Sequence, residues 1–268
     1  MRWLFNLVLC ELLALGLFAQ GLTLNNPAWL GDRFSRAAAV GPTDFPNSYS
    51  GLVRWYKASD YDGDFNDGDS ITSNWTDYST AGVNAVPEVG NLPTYRTTQV
   101  PGGVSSIDYV DGAKHFQYTS LTTLSNFTFI GVLKIKAGSF NWLSDESGNW
   151  QVRNRGSGTT TEMSFFPAGN PEVKGTINTS ISTNWHVEVF SRSNDVTTFY
   201  ANGHQTNSTD LNTVLMRVGT AGPYDGGMAG CHMLEACIYA TNLTPTQVLS
   251  LYTNYFRKLY TTIPGGLP

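Results

Sequence analysis

The sequence predicts an all-β protein built of two packed antiparallel sheets, with an N-terminal helix and arm and a short C-terminal helix. Three observations carry this. Charged residues make up only 14% of the 268 residues, while aromatics reach 13% and glycine and proline number 27 and 12. That balance suits short strands and tight turns rather than long helices. From Gly51 onward, period-two segments alternate with turn residues. Helical periodicity is confined to the two ends of the chain.

The first strand is "GLVRWYKA", whose alternation sets Val53 and Trp55 on one face and Leu52, Arg54 and Tyr56 on the other. "NFTFIGVLKIKA" alternates Phe127, Phe129, Gly131, Leu133 and Ile135 against Thr128, Ile130, Val132, Lys134 and Lys136. Further strands are expected at "WHVEVFSR", "VTTFYANG", "VLMRVG" and "CHMLEACIYA". Ser193, Asn194 and Asp195 turn one hairpin, and Asn202 with Gly203 makes the next reversal. Near the end, Thr244 suits an N-cap, Pro245 the first helical position and Gln247 a capping box. Val248, Leu251, Tyr252, Tyr255 and Leu259 follow as one apolar stripe, with Arg257 and Lys258 at the negative end of the dipole and Pro264 and Gly265 as the stop.

The N-terminal residues 1–21, "MRWLFNLVLCELLALGLFAQG", form an apolar helix interrupted by Asn6 and Glu11. A cleaved signal and a retained anchor or packing helix are weighed equally, ahead of a membrane span, which Glu11 disfavours. Residues 22–50 carry Pro27, Pro42 and Pro46 and no sustained period, so they read as an extended arm, leaving 51–264 as the sandwich domain. The three cysteines are Cys10, Cys231 and Cys237. The last two lie six residues apart on one strand, roughly 20 Å, too far for a disulfide. They are expected to be free thiols on the same strand face.

A formal net charge of −5 with no basic run excludes nucleic acid as a partner. Five aspartates, Asp60, Asp62, Asp64, Asp67 and Asp69, crowd "SDYDGDFNDGDSITSNW". An EF-hand needs a central glycine and a final glutamate; counted from Asp60 those places hold Phe65 and Ile71, and from Asp62 they hold Asp67 and Ser73. Asp60, Asp62 and Asp64 stay open as a calcium site, against the plainer reading of a solvated strand connection. Sugar binding calls for exposed rings beside amides and carboxylates. "FNWLSDESGNWQVRN" offers Trp142 and Trp150 with Asn141, Asp145 and Asn149 on an expected hairpin, though half-buried sandwich residues would look the same.

Four segments resemble the laminin-G-like, concanavalin-A-like jelly-roll superfamily, in the form common in bacterial surface and phage structural proteins. "GLVRWYKASD" with "DGDSITSNWTDYS" is similar to its first strand, acidic loop and W-x-D-x-S turn, through Trp75 and Asp77. "SIDYVDGAKHFQY" resembles its FDG strand, with Val110 where an aromatic is usual. "NWHVEVFSRSNDVTTFYANG" matches at Trp185, His186, Tyr200, Asn202 and Gly203, and "GGMAGCHMLEACIYATNLTPTQ" at Glu235, Ile238 and Tyr239. The resemblance implies a jelly-roll sandwich and leaves function open.

Glycosidases of this superfamily alternate two or three carboxylates on one strand. Here Glu188 and Glu235 are each the only acid on theirs, and Glu235 is expected to be a structural acceptor. His115, His186, His204 and His232 have no metal-ligand spacing, and no G-x-S-x-G elbow occurs. No catalytic residue and no cofactor beyond calcium is therefore expected. The resulting expectation is a non-enzymatic display or adhesion protein, a structural or decoration protein on the outside of a virus particle. Residues 1–50 would fix it to other structural proteins of the assembly, and cell-surface glycans are a second partner. A secreted or cell-surface calcium-dependent lectin is the alternative, ahead of a polysaccharide hydrolase or lyase. Homo-oligomerisation is left open.

Overall fold

The computed structural model describes residues 43–100, 102–109, 116–136, 139–144, 151–157, 160–166, 173–178, 184–193, 196–210, 216–221, 231–263 and 267. For 118–123, 139–178, 207–210 and 216–221 only the backbone enters the description. Residues 41–268 form one compact unit, and the expectations for 1–42 lie outside the described residues.

In chain order the strands are β1 Leu52–Lys57, β2 Ala85–Pro87, β3 Thr94–Arg96, β4 Ser106–Asp108, β5 Phe116–Leu124, β6 Phe127–Ile135, β7 Ser139–Ser144 and β8 Gln151–Ser157. They continue as β9 Thr160–Phe166, β10 Val173–Asn178, β11 His186–Ser193, β12 Val196–Ala201, β13 His204–Asp210, β14 Met216–Ala221 and β15 Cys231–Tyr239. An eight-stranded sheet runs β13-β12-β11-β6-β15-β4-β3, with β1 also paired to β15. A seven-stranded sheet runs β10-β9-β8-β7-β14-β5-β2. All pairings between named strands are antiparallel, so the expected two-sheet sandwich is observed.

Between the sheets lies an aromatic core. Trp75 rests 5.0 Å from Tyr56 and 5.1 Å from Phe116, and Phe127 stacks on Phe129 at 4.6 Å. Strand β6 alternates as its sequence requires: Phe127, Phe129, Leu133 and Ile135 face this inner core, and Ile130 and Val132 face a second cluster on the outer side. That outer face is covered by helix α1, which begins as an α-helix over Pro245–Ser250, continues as a π-helix over Leu251–Phe256 and ends with Arg257–Leu259. The capping box is present, Thr244 and Gln247 satisfying each other's backbone. Asn202 and Gly203 close the β12–β13 hairpin with φ of 51° and 79°, the pair of positive angles that a tight primed turn needs.

Four expectations are corrected. Val53 packs against the inner core while Trp55 belongs to the outer cluster, because β1 is bulged between Leu52 and Arg54. Cys231 and Cys237 are both free and buried, but they face opposite clusters, because β15 is bulged between Met233 and Glu235. One inserted residue reverses the parity of everything beyond it. On α1, Val248, Leu251, Tyr252 and Tyr255 are buried as expected, but Leu259 is 40% exposed and Phe256 and Tyr260 are buried instead. A π-turn takes an extra residue and rotates the stripe. Ser193 pairs with Val196 as the last strand residue rather than standing in the turn, while 194 and 195 lie outside the described residues, as do Pro264 and Gly265.

Candidate functional site

The outer end of β1 explains why the acidic stretch has a fixed shape. Trp75 buries its ring in the inner core and donates from Nε1 to the Lys57 carbonyl at 2.7 Å. Asp77 then caps the edge of β1. Its Oδ1 accepts from the Trp55 and Ser79 amides at 2.9 and 2.8 Å, and its Oδ2 accepts from the Ser79 hydroxyl and the Val83 amide at 2.8 and 2.9 Å. A carboxylate holding this many donors is a structural clamp on a strand edge.

The five loop aspartates go separate ways. Asp60 Oδ1 accepts from the Tyr78 hydroxyl. Burial pushes the Asp60 carboxyl up, against the bond from Tyr78, the charge of Lys57 and contacts with Thr76. Its Oδ2 is buried without a hydrogen-bond partner of good geometry. Asp62 Oδ1 accepts from the Tyr95 hydroxyl at 2.8 Å and from the Ser105 hydroxyl, and Asp64 is exposed. Asp67 takes the Thr97 amide at 2.8 Å and the Thr98 hydroxyl at 3.1 Å, while Asp69 takes the Asn66 amide at 2.8 Å. Among the described residues, no group of three His, Cys, Asp or Glu side chains is placed to hold a metal ion.

Asp62 instead joins a cleft of about 340 Å³ where five regions of the chain meet. Lys57 and Ser59 come from the end of β1 and the turn after it, and Asp62 follows. Gly103, Val104 and Ser105 form a second wall, and Leu234 of β15 lies at the base. Tyr255 and Leu259 of α1, Tyr260 at its C-cap, and Phe45 complete it. Two of the exposed large apolar residues, Phe45 at 43% and Leu259 at 40%, are on this rim. Phe45 leans on Tyr255 with ring centroids 5.5 Å apart.

Behind the cleft, Glu235 is fully buried and holds its aromatic side together. Oε1 accepts from Trp55 Nε1 at 2.5 Å and from the Tyr255 hydroxyl at 2.8 Å, and Oε2 accepts from the Tyr260 hydroxyl at 2.7 Å. Burial pushes its carboxyl up, opposed by those three hydrogen bonds and by the charge of Lys57. Lys57 lies directly across from Glu235 in the β1–β15 register. Its ammonium stands 4.1 Å from the Trp55 ring centre and 4.6 Å from that of Tyr78, within the range of a cation–π contact. The bulge in β15 is what allows this: Leu234 and Glu235, consecutive residues, both serve the outer face, one in the cleft and one behind it.

The sequence anticipated Glu235 as a structural acceptor; it offered Asp62 as a calcium ligand with Asp60 and Asp64, not as a wall of this cleft, and it did not bring out Phe45, Lys57, Tyr255 or Tyr260 as neighbours. The available signal was a lone acid inside an otherwise apolar strand, which requires buried donors. The other glycan candidates lie elsewhere. Asn141 and Trp142 belong to β7, which pairs with β8 as the expected hairpin in the seven-stranded sheet. Their side chains, and Asp145, Asn149 and Trp150 altogether, lie outside the described residues.

Two other buried polar groups have structural partners. His186 Nε2 meets Glu188 Oε1 at 2.7 Å inside the sandwich, where Gly131 and Ala201 on the flanking strands leave room. Asp108 accepts from Lys136 Nζ at 2.9 and 3.1 Å and from Arg96 Nε at 3.3 Å.

No family model matches the chain, and no curated protein matches it in sequence. Solved structures do resemble it. The binding domain of Paraclostridial Mosquitocidal Protein 1 superposes with a TM-score of 0.53 at 13% identity, covering 77% of this chain and 52% of that one. The botulinum neurotoxin serotype D binding domain gives 0.52 at 10% identity, covering 75% and 51%. The serotype D ligand-binding domain in complex with N-acetylneuraminic acid gives 0.51 at 12% identity, covering 75% and 50%. At such identities the likeness establishes the β-sandwich fold alone, and the chain spans about half the length of these toxin domains.

Proposed function

We propose that this chain is a non-enzymatic glycan-binding module, presented by residues 1–50 on a larger assembly, the outside of a virus particle. The observation that carries the binding reading is the cleft: exposed Phe45 and Leu259 on its rim, tyrosines on its wall, and Asp62 and Ser59 at its polar edge. Sugars are held in this way, by a ring against an apolar face and polar groups at the edges. Sandwich domains of the same fold include the toxin domain solved with N-acetylneuraminic acid, which lends support. The non-enzymatic reading is supported by the state of Glu235. Both of its oxygens are occupied by donors, whereas glycoside hydrolysis uses a pair of carboxyl groups that reach the substrate. The display reading draws on the laminin-G-like resemblance, on the apolar segment 1–21 and on a surface poor in lysine and arginine.

A glycan array followed by calorimetric titration of the full chain tests the reading. Phe45→Ala is expected to weaken binding by about tenfold, the worth of an aromatic contact. Unchanged affinity in that variant, or turnover of a bound polysaccharide, would overturn it. A calcium-dependent lectin is the second reading; it rests on the sequence run of Asp60, Asp62 and Asp64, of which Asp60 and Asp62 take separate partners here, and on the buried Oδ2 of Asp60. Binding that is lost in chelator and restored by calcium would establish it.

A further inference from the structure

Resting on the reading of the cleft as a glycan site, we infer that it selects neutral sugars, hexoses or N-acetylhexosamines, over sialic and uronic acids. The inference comes from where the charges point. Lys57 is the one cation lining the cleft among the described residues, and so the one group there that could pair with a sugar carboxylate. Its charge is already engaged. The ammonium lies against the rings of Trp55 and Tyr78 and faces Glu235 across the strand pair, and its charge offsets part of the rise that burial imposes on the Glu235 and Asp60 carboxyls. Two carboxyl groups and two ring faces therefore draw it inward.

Asp62 is the opposite case. Its carboxylate is exposed on the cleft wall and fixed in orientation by Tyr95 and Ser105, which both donate to Oδ1. A fixed carboxylate accepts strongly from sugar hydroxyls or an acetamido N–H. It repels a second carboxylate brought alongside. The apolar groups Val104, Leu234 and Leu259 supply a surface for a pyranose face or an acetyl methyl. At about 340 Å³ the space falls near the lower end of small-molecule sites. A mono- or disaccharide fits it better than an extended chain.

The test titrates the full chain with the methyl glycosides of galactose, N-acetylglucosamine, N-acetylneuraminic acid and glucuronic acid at low ionic strength. At least one neutral glycoside is expected to bind about tenfold more tightly than either acid, the scale of one like-charge contact near a surface. Asp62→Asn, which keeps an oxygen for Tyr95 and Ser105, is expected to close most of that gap. Added salt should narrow it in the unaltered protein, so the point does not hang on one variant folding. Lys57→Gln is expected to leave the acidic sugars no weaker than before. Tighter binding of an acidic sugar, lost in Lys57→Gln, overturns the inference while the cleft stands as a glycan site. Binding of none of the four overturns the cleft reading and the inference together.

Discussion

Phe129 and Glu235 sit on neighbouring strands of one sheet and face opposite ways into two differently built interiors. Phe129 points between the sheets, into rings that touch rings: Phe127 at 4.6 Å, with Phe190 and Phe199 forming an edge-on pair at 4.6 Å in the same cluster. Glu235 points outward beneath α1, where three donors from β1 and the helix converge on one carboxylate. The inner interior gains its stability from apolar area and ring packing, which are tolerant of direction. The outer one depends on hydrogen bonds of fixed direction in a buried place. Its geometry therefore passes straight to the cleft wall formed by Tyr255 and Tyr260.

The largest expected effect falls on the inner side. Phe129→Ala should cost about 3–5 kcal/mol, the usual range for emptying an aromatic from a core, and denaturant unfolding measures it. Glycan affinity of the folded fraction should be unchanged; an equal loss there would erase the distinction between the two interiors. Glu235→Gln should cost less, about 1.5–3 kcal/mol for one charge-assisted bond, since its amide nitrogen must replace one acceptor oxygen. Here the cleft should suffer as well, with affinity falling several-fold, and a variant that loses stability alone would break the link between Glu235 and the site.

The smallest effect concerns His232, near the start of β15 and opposite Asp108 of β4. Burial presses its pKa down from 6.5 to about 4, against the pull of Asp108 and with the charges of Lys136, Lys134 and Arg96 adding to the depression. The folded protein therefore holds the neutral ring. Its contribution to stability is complete above pH 6.5 and is lost as the pH falls toward 4. Unfolding midpoints measured across that interval should slope less in His232→Gln than in the unaltered protein.

Strands without bulges were legible. The alternation of β6, the Asn202–Gly203 turn and the Thr244 capping box each follow from local rules that the sequence states directly. The bulges at Val53 and Leu234 were not, because no glycine or proline marks either one, and a single unpaired residue then reassigns Trp55 and Cys237 to the other face. The π-turn had the same effect on Leu259 and Tyr260. An ordinary helix would place Tyr255 and Tyr260 about 140° apart, so their shared role on Glu235 left no periodic trace. The cleft combines residues as distant in sequence as Phe45 and Tyr260, which only the sheet topology brings together.

The central claim is the location of the ligand: beneath the end of α1, on the outer face of the eight-stranded sheet. Amide NMR of the full chain, titrated with its best-binding glycoside, reads that location directly. Shifts are expected at Lys57, Ser59, Gly103, Ser105 and Tyr255. Shifts confined to the β7–β8 hairpin, around Trp142 and Trp150, would contradict the account and return the site to the other sheet.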